Sequence, residues 1–152
     1  MKILKSHLDE KLGKKKNVDK LSNQLTMLGL EVDSIAKLKS DFCIDIDLTP
    51  NRGDCFSALG VAREIAASDQ ISLKKEKYSV KKHGNSKTKV LVQNKEACPK
   101  YSYLEISNLS LTNSKGKAKE LPQKINSRLE AAGINLINPV VDILNYVMLD
   151  TG

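Results

Sequence analysis

The sequence predicts a small α/β protein of the α+β kind, and three observations carry that prediction. Residues 41–48, DFCIDIDL, alternate apolar and polar side chains with a period of two, the mark of a strand with one buried face. Residues 51–67, NRGDCFSALGVAREIAA, pass through turn chemistry into apolar positions spaced three and four apart, which describes an amphipathic helix. From 74 to 89 the chain becomes polar and lysine-rich, KKEKYSVKKHGNSKTK, and so separates a first unit from a second. The expected organisation is a strand-turn-helix domain over 1–73, a basic linker or hairpin over 74–89, and a further, partial α/β unit over 90–152.

In the first unit, residues 1–12 place Ile3, Leu4, Leu8 and Leu12 at helix-like spacing, broken at Gly13 and the lysines after it. A helix over 18–28 follows, with Val18, Leu21, Leu25 and Leu28 on one stripe and Asn17 as N-cap. Gly29 suits a left-handed ending, and Leu30 is the apolar residue that closes such a cap. Residues 31–38 read as a short strand and turn. On the strand that follows, Phe42, Ile44, Ile46 and Leu48 share the core face, and Asp41, Cys43, Asp45 and Asp47 share the other. Carboxylates on one face suit a hard cation, which takes oxygen ligands. No second element completes such a shell, so no metal is expected and the face should be solvated or salt-bridged.

Pro50 ends the strand by lacking a ladder donor. Asp54 is expected to cap a helix whose apolar positions are Cys55, Leu59, Ala62, Ile65 and Ala66, while small residues including Ala58 and Gly60 admit close approach to a sheet. Arg52 has three outlets: a phosphate, a partner's carboxylate, or the aspartates of its own strand. The last is preferred, making Arg52 and Asp54 structural ties of the corner.

In the second unit, 90–92 and 101–111 are expected strands. After a charged loop, a helix with Pro122 in its first turn carries Leu121, Ile125, Leu129 and Ala132 as its stripe. Gly133 and Ile134 repeat the ending at Gly29 and Leu30. Asn138 and Pro139 begin a last helix, VVDILNYVML, with Asp142 and Asn145 one turn apart on its flank. A buried, unpaired amide costs about 1–3 kcal/mol, so those two need a neighbouring backbone or a ligand. The apolar remainder of this helix leaves a surface able to drive self-association.

Composition narrows the function classes. The chain has 152 residues, 40% hydrophobic and 28% charged, as in soluble globular proteins. No apolar run approaches the roughly 20 residues that span a bilayer, and no signal-peptide core opens the chain, so a cytoplasmic location without membrane contact is expected. Cys43, Cys55 and Cys98 are odd in number and lack metal-ligand spacing, so reduced thiols are expected. His7 and His83 lie in polar, lysine-rich surroundings and should be at the surface. The net charge of +7 suggests an anionic neighbour, nucleic acid above all. Two lysine clusters, at 11–20 and 74–89, hold much of that charge, and such runs are more often solvated than binding. Lys74, Lys75, Lys77, Lys81 and Lys82 are the candidate RNA contacts. Only 4% of residues are aromatic and none is Trp, which argues against a base-stacking platform.

Four blocks, LTMLGLEVDSI (25–35), DIDLTPNRGDCFSALGVAREIA (45–66), ACPKYSYLEI (97–106) and AAGINLINPVVDILNYVMLDTG (131–152), together resemble the N-terminal part of the bacterial phenylalanyl-tRNA synthetase beta subunit, and in the same order. The resemblance implies a heterotetrameric class II ligase that charges tRNA with phenylalanine. In that family ATP, magnesium and the aminoacylation site belong to the alpha subunit, so this chain is expected to bind no cofactor and to be inactive alone. The family's long bacterial form inserts a tRNA-binding oligonucleotide-binding domain where only 36–42 stand here. It also continues into a QP-x-HAFD segment and the rest of an editing domain, which is expected to be truncated at Gly152.

Asn145 matches a family residue lining the editing pocket. Asn135 stands where the family has arginine, a planar charged donor that a neutral amide does not replace. With Asp142 these form the expected remnant of an editing pocket. Family tryptophans are replaced by Lys124 and His7. The expected function is a non-catalytic structural or docking segment of the beta subunit, partnered by the alpha subunit or the rest of beta, with tRNA as a further candidate. Two alternatives stand beside it: a free-standing hydrolase of mischarged tRNA using Asn145, Asp142 and Asn138, and a basic RNA-binding module.

Overall fold

The computed structural model describes residues 1–74, 79, 84–86, 88–112 and 119–152. Its centre is an antiparallel sheet of three strands, β1 (Lys2–Leu4), β2 (Glu31–Lys37) and β3 (Phe42–Asp47), in the order β1-β3-β2. The period-two pattern makes β3 central: Ile44 and Ile46 are fully buried while Asp47 is exposed. Helices α1 (Lys5–Leu12), α2 (Val18–Met27) and α3 (Ala58–Ser68) supply the other side of the core through Leu8, Leu21, Leu25, Val61 and Ile65, all fully buried.

The start of the chain departs from its helix-like spacing. Residues 2–4 pair with β3, Ile3 opposite Ile44, and only from Lys5 does the chain turn helical. Ile3 and Leu4 thus reach the core from a strand, which spacing over so few residues does not distinguish from a helix. The polar face of β3 is tied by charge. The terminal ammonium of Met1 lies 3.3 Å from Asp45 Oδ1, and Lys2 Nζ lies 4.0 Å from Asp45 Oδ2. Asp41 accepts the Ser6 N–H at 3.2 Å, at the start of α1.

The helix ends follow local chemistry. Asn17 accepts from the amides of Asp19 and Lys20 at 3.0 and 3.1 Å. Gly29 takes φ +80°, and the Leu30 N–H returns to the Leu25 carbonyl at 3.0 Å with its side chain fully buried. At α3 the cap differs from expectation. Asp54 sits in a 3₁₀ turn, Gly53–Cys55, and it is Ser57 Oγ that accepts the Gly60 N–H at 3.1 Å. The extra turn displaces the helix start by one capping candidate.

The second unit contributes α4 (Gln123–Ala131) and α5 (Pro139–Thr151), the latter capped by Asn138, which accepts from Val140 and Val141 at 3.0 and 3.1 Å. Both helices pack on the first unit, α4 against β1 and α5 against α3. The strands expected at 90–92 and 101–111 do not form. Those residues join no ladder, and Leu91, Leu104, Ile106 and Leu109 are exposed. Strand propensity needs a backbone ladder to act on; Thr88 meets Tyr103 and Glu105 only through their side chains, and one backbone bond, from the Lys119 N–H to the Leu111 carbonyl at 2.9 Å, closes the far end. The expected 74–89 linker lies largely outside the described residues. No helix among them is long and apolar enough to cross a membrane.

Candidate docking site

The first and second units meet at a buried polar network. On α1 the side chains of His7, Glu10 and Lys11 fall at three- and four-residue intervals, hence on one side of the helix. On α5 the same rule brings Tyr146 and Asp150 together, and on α4 Lys124 and Arg128. His7 Nε2 lies 2.7 Å from Asp150 Oδ1, and Lys11 Nζ lies 2.7 Å from Asp150 Oδ2. The His7 ring stacks on Tyr146 at 6.0 Å and 10°. Arg128 Nη1 donates to the Tyr146 hydroxyl at 2.7 Å, and its Nη2 pairs with Glu10, which Lys124 Nζ also reaches at 2.6 Å.

The electrostatics follow from that geometry. Burial pushes the His7 imidazole below its ordinary value despite the hydrogen bond to Asp150, and the Arg128 charge adds to the effect. The ring is therefore neutral, with Nε2–H donating to Asp150. Burial alone would raise Asp150, but the hydrogen bonds of His7 and Lys11 outweigh it and hold the carboxyl at about 2. Glu10 likewise falls to about 2, since Lys124 and Arg128 overcome its desolvation.

His7 was expected at the surface and is 0% exposed. Its lysine-rich neighbours suggest solvent, whereas its partner lies 143 residues away on α5. No local signal joins the two, although Tyr146 and Asp150 at helical spacing mark a polar stripe on an otherwise apolar helix. The first lysine cluster is likewise less solvated than expected. Lys11 is 5% exposed, and Lys14 and Lys16 both stand 2.8 Å from Asp69.

The residues of the expected pocket remnant lie apart in their contacts. Asp142 is buried and its Oδ1 accepts the Ile137 N–H at 2.8 Å, closing the loop before α5 onto that helix. Asn145 is half-buried one turn further on. Asn135 is exposed and borders a shallow cavity of about 300 Å³ with Glu130, Gly133, Ile134 and Leu136, lined by neither Asp142 nor Asn145.

At the corner, Arg52 forms a fork with Asp54, Nε to Oδ1 and Nη2 to Oδ2 both at 3.1 Å, and reaches Glu64 at 3.1 Å. The Arg52 hydrogen bond holds the Asp54 carboxyl below its usual range, and burial raises the Cys55 thiol to about 11. Ligand atoms of Asp54, Cys55 and Glu64 lie within 4.8 Å of one another, a spacing a cation could use. The Arg52 guanidinium contacts all three residues, so a permanent cation already holds that position. Lys74 is exposed; Lys75, Lys77, Lys81 and Lys82 lie outside the described residues.

One surface feature stands out from the rest. Helix α5 turns Asp142, Leu149 and Asp150 inward and four apolar side chains outward: Ile143, Leu144, Val147 and Met148 are 45%, 65%, 49% and 54% exposed. These positions recur at one, three and one residues, so they form a continuous stripe along the helix. The helix thus seats two aspartates and Leu149 against the rest of the chain and leaves an apolar stripe to solvent.

Comparison with known proteins gives the following. The B3/4 domain family matches residues 97–152. The phenylalanine–tRNA ligase beta subunit of Carboxydothermus hydrogenoformans is 36% identical over 126 residues, 82% of this chain and 15% of its own. That of Rhodopirellula baltica is 36% identical over 137 residues, 88% of this chain and 19% of its own. That of Legionella pneumophila is 43% identical over 113 residues, 74% of this chain and 14% of its own. The chain thus spans less than a fifth of the length of these relatives. An N-terminal fragment of the phenylalanyl-tRNA synthetase beta subunit from Pyrococcus horikoshii is 27% identical, with a TM-score of 0.44 over 55% of this chain and 24% of that one.

Proposed function

This chain is related by sequence, along most of its length, to the phenylalanine–tRNA ligase beta subunits, and on that footing we propose that it is a docking segment of such a subunit, without aminoacylation chemistry of its own. The observation that carries the reading is the outward apolar stripe of α5. Ile143, Leu144, Val147 and Met148 offer an uncharged surface on a helix already fixed from behind by Asp142 and Asp150. A contiguous exposed apolar surface on an ordered element is a surface for a partner. The occupant is the remainder of a beta-type subunit, because the relatives carry more than four-fifths of their length outside the matched region. The alpha subunit is the other arm of the test.

A hydrolase of mischarged tRNA has less support. Asp142 spends a carboxylate oxygen on the Ile137 amide, and Asn135 faces a cavity that Asp142 and Asn145 do not line. Among the described residues, Asn135, Asp142 and Asn145 converge on no common site for an ester carbonyl.

The test mixes the pure chain with a beta subunit lacking the matched region, and separately with the alpha subunit, followed by sedimentation. Complex formation with the beta remainder is expected, and its loss in the double variant L144E/V147K. ATP-dependent charging of tRNA by the pure chain, or the absence of any complex, would overturn the proposal.

A further inference from the structure

Among the groups buried between the two units, His7 is the one whose ordinary titration falls near neutrality. Its surroundings suit only one of its two states. Nε2 is engaged by Asp150, while Nδ1 is buried with no hydrogen-bond partner among the described residues. In the neutral ring Nδ1 is an unpaired acceptor. In the protonated ring it would be an unpaired, charged donor, the costlier condition.

The groups facing the ring can be named by element. From α5 come Asp150 and Tyr146, the latter stacked on the ring; from α4 comes Arg128; from its own helix come Lys11 and, one layer out, Glu10. The charged residues of α3 turn elsewhere, Arg63 to the Asp54 carbonyl and Glu64 to Arg52. Two cations, Lys11 and Arg128, therefore already stand against the position a third would take. Asp150 is shared with Lys11, so it does not answer the new charge alone.

We propose that His7 is a proton-sensitive latch: uptake of one proton by its ring releases α4 and α5 from α1. The released state lets the imidazolium reach water and opens the seam that Asp150 and Tyr146 close. The sign follows from linkage. A base held below its ordinary pKa in the closed state takes up its proton more readily once open, so opening is favoured as pH falls below about 6.5.

The molecule contains its own reporter. Cys43 is half-buried, its Sγ 3.6 Å from the Ala131 carbonyl at the end of α4, whereas Cys98 lies away from this seam. Thiol labelling of the full chain, read as the Cys43-to-Cys98 ratio by mass spectrometry, cancels the intrinsic pH dependence of the reagent. Between pH 7.5 and 5.5 the ratio should rise by up to about tenfold, the limit for one proton over the decade below an ordinary histidine pKa. In H7Q, which keeps a neutral donor toward Asp150, the ratio should be flat. A second measurement needs no change at His7: nitrogen chemical shifts of the imidazole in the H83Q chain, expected to show the Nε2–H tautomer and protonation below pH 6.5. A flat ratio in the unaltered chain, an equal rise in H7Q, or an imidazole titrating at or above the ordinary value would each overturn the latch.

Discussion

Replacing Gly60 by alanine sets two effects of known size against each other. Gly60 lies in the first turn of α3, where Gly to Ala ordinarily gains about 1 kcal/mol of helix stability. Here a Cβ would lie 2.0 Å from the Asp54 carbonyl oxygen and 3.0 Å from both Asp54 C and Cys55 Cα. All three are backbone atoms, so no side-chain rotation relieves the overlap. The Asp54 carbonyl also accepts from Arg63 at 3.3 Å, and the Asp54 side chain is held by the Arg52 fork, so the corner moves only by giving these up. Overpacking costs about 1–3 kcal/mol, and contact this short calls for the upper end. After subtracting the helix gain, G60A should lose about 2 kcal/mol. With a urea slope near 2 kcal/mol/M, the midpoint should fall by roughly 1 M. Gly53, in the same corner, has nothing within 4 Å of its ideal Cβ, so G53A is the control and should stay within about 0.5 kcal/mol of the parent. Equal or greater stability of G60A in urea melts, measured beside G53A, would refute the account of the corner.

Three further outcomes are expected. S57A should cost about 1 kcal/mol in thermal or urea unfolding, because Ser57 supplies the cap of α3. D150N removes the carboxylate 2.7 Å from buried Lys11 and should cost about 3 kcal/mol, with K11M recovering part of that loss in the D150N background; urea midpoints of the four proteins check it. Asp150 and Glu10 are both held at about 2, below their ordinary 3.8 and 4.5. Depressed carboxyls add stability that is complete above the ordinary values and is lost as pH falls toward the folded ones. Unfolding free energy should therefore decline from about pH 4.5 toward 2, and the decline should be shallower in D150N.

What could be read from the sequence was local. The period of β3, the caps at Asn17 and Asn138, and the left-handed ending at Gly29 each depend on residues within a few positions, and each stands where expected. Asp142 was legible as a polar group needing a partner, and the Ile137 backbone meets that need. The misses have physical causes. Ser57 and Asp54 are both good caps three residues apart, and the 3₁₀ turn decides between them only after the corner has formed. His7 was illegible because its environment comes from α5, far along the chain. The strands expected at 101–111 failed because alternation records a preference for a pleated surface, while a ladder also needs a partner.

The turn between β2 and β3 is closed by one hydrogen bond, from the Leu38 amide to the Asp41 carbonyl at 2.8 Å, and β3 pairs with β2 from Lys37 opposite Phe42 onward. Below that bond the sheet is held by its own ladder and by a core on the far side of β3. The tip therefore acts as a port: two chain ends held side by side, with no core residue between them. Anything whose termini lie close together could be set into it, or taken from it, and the cost would be loop closure rather than packing. At such a joint the size of what hangs from the sheet is independent of how the sheet is made.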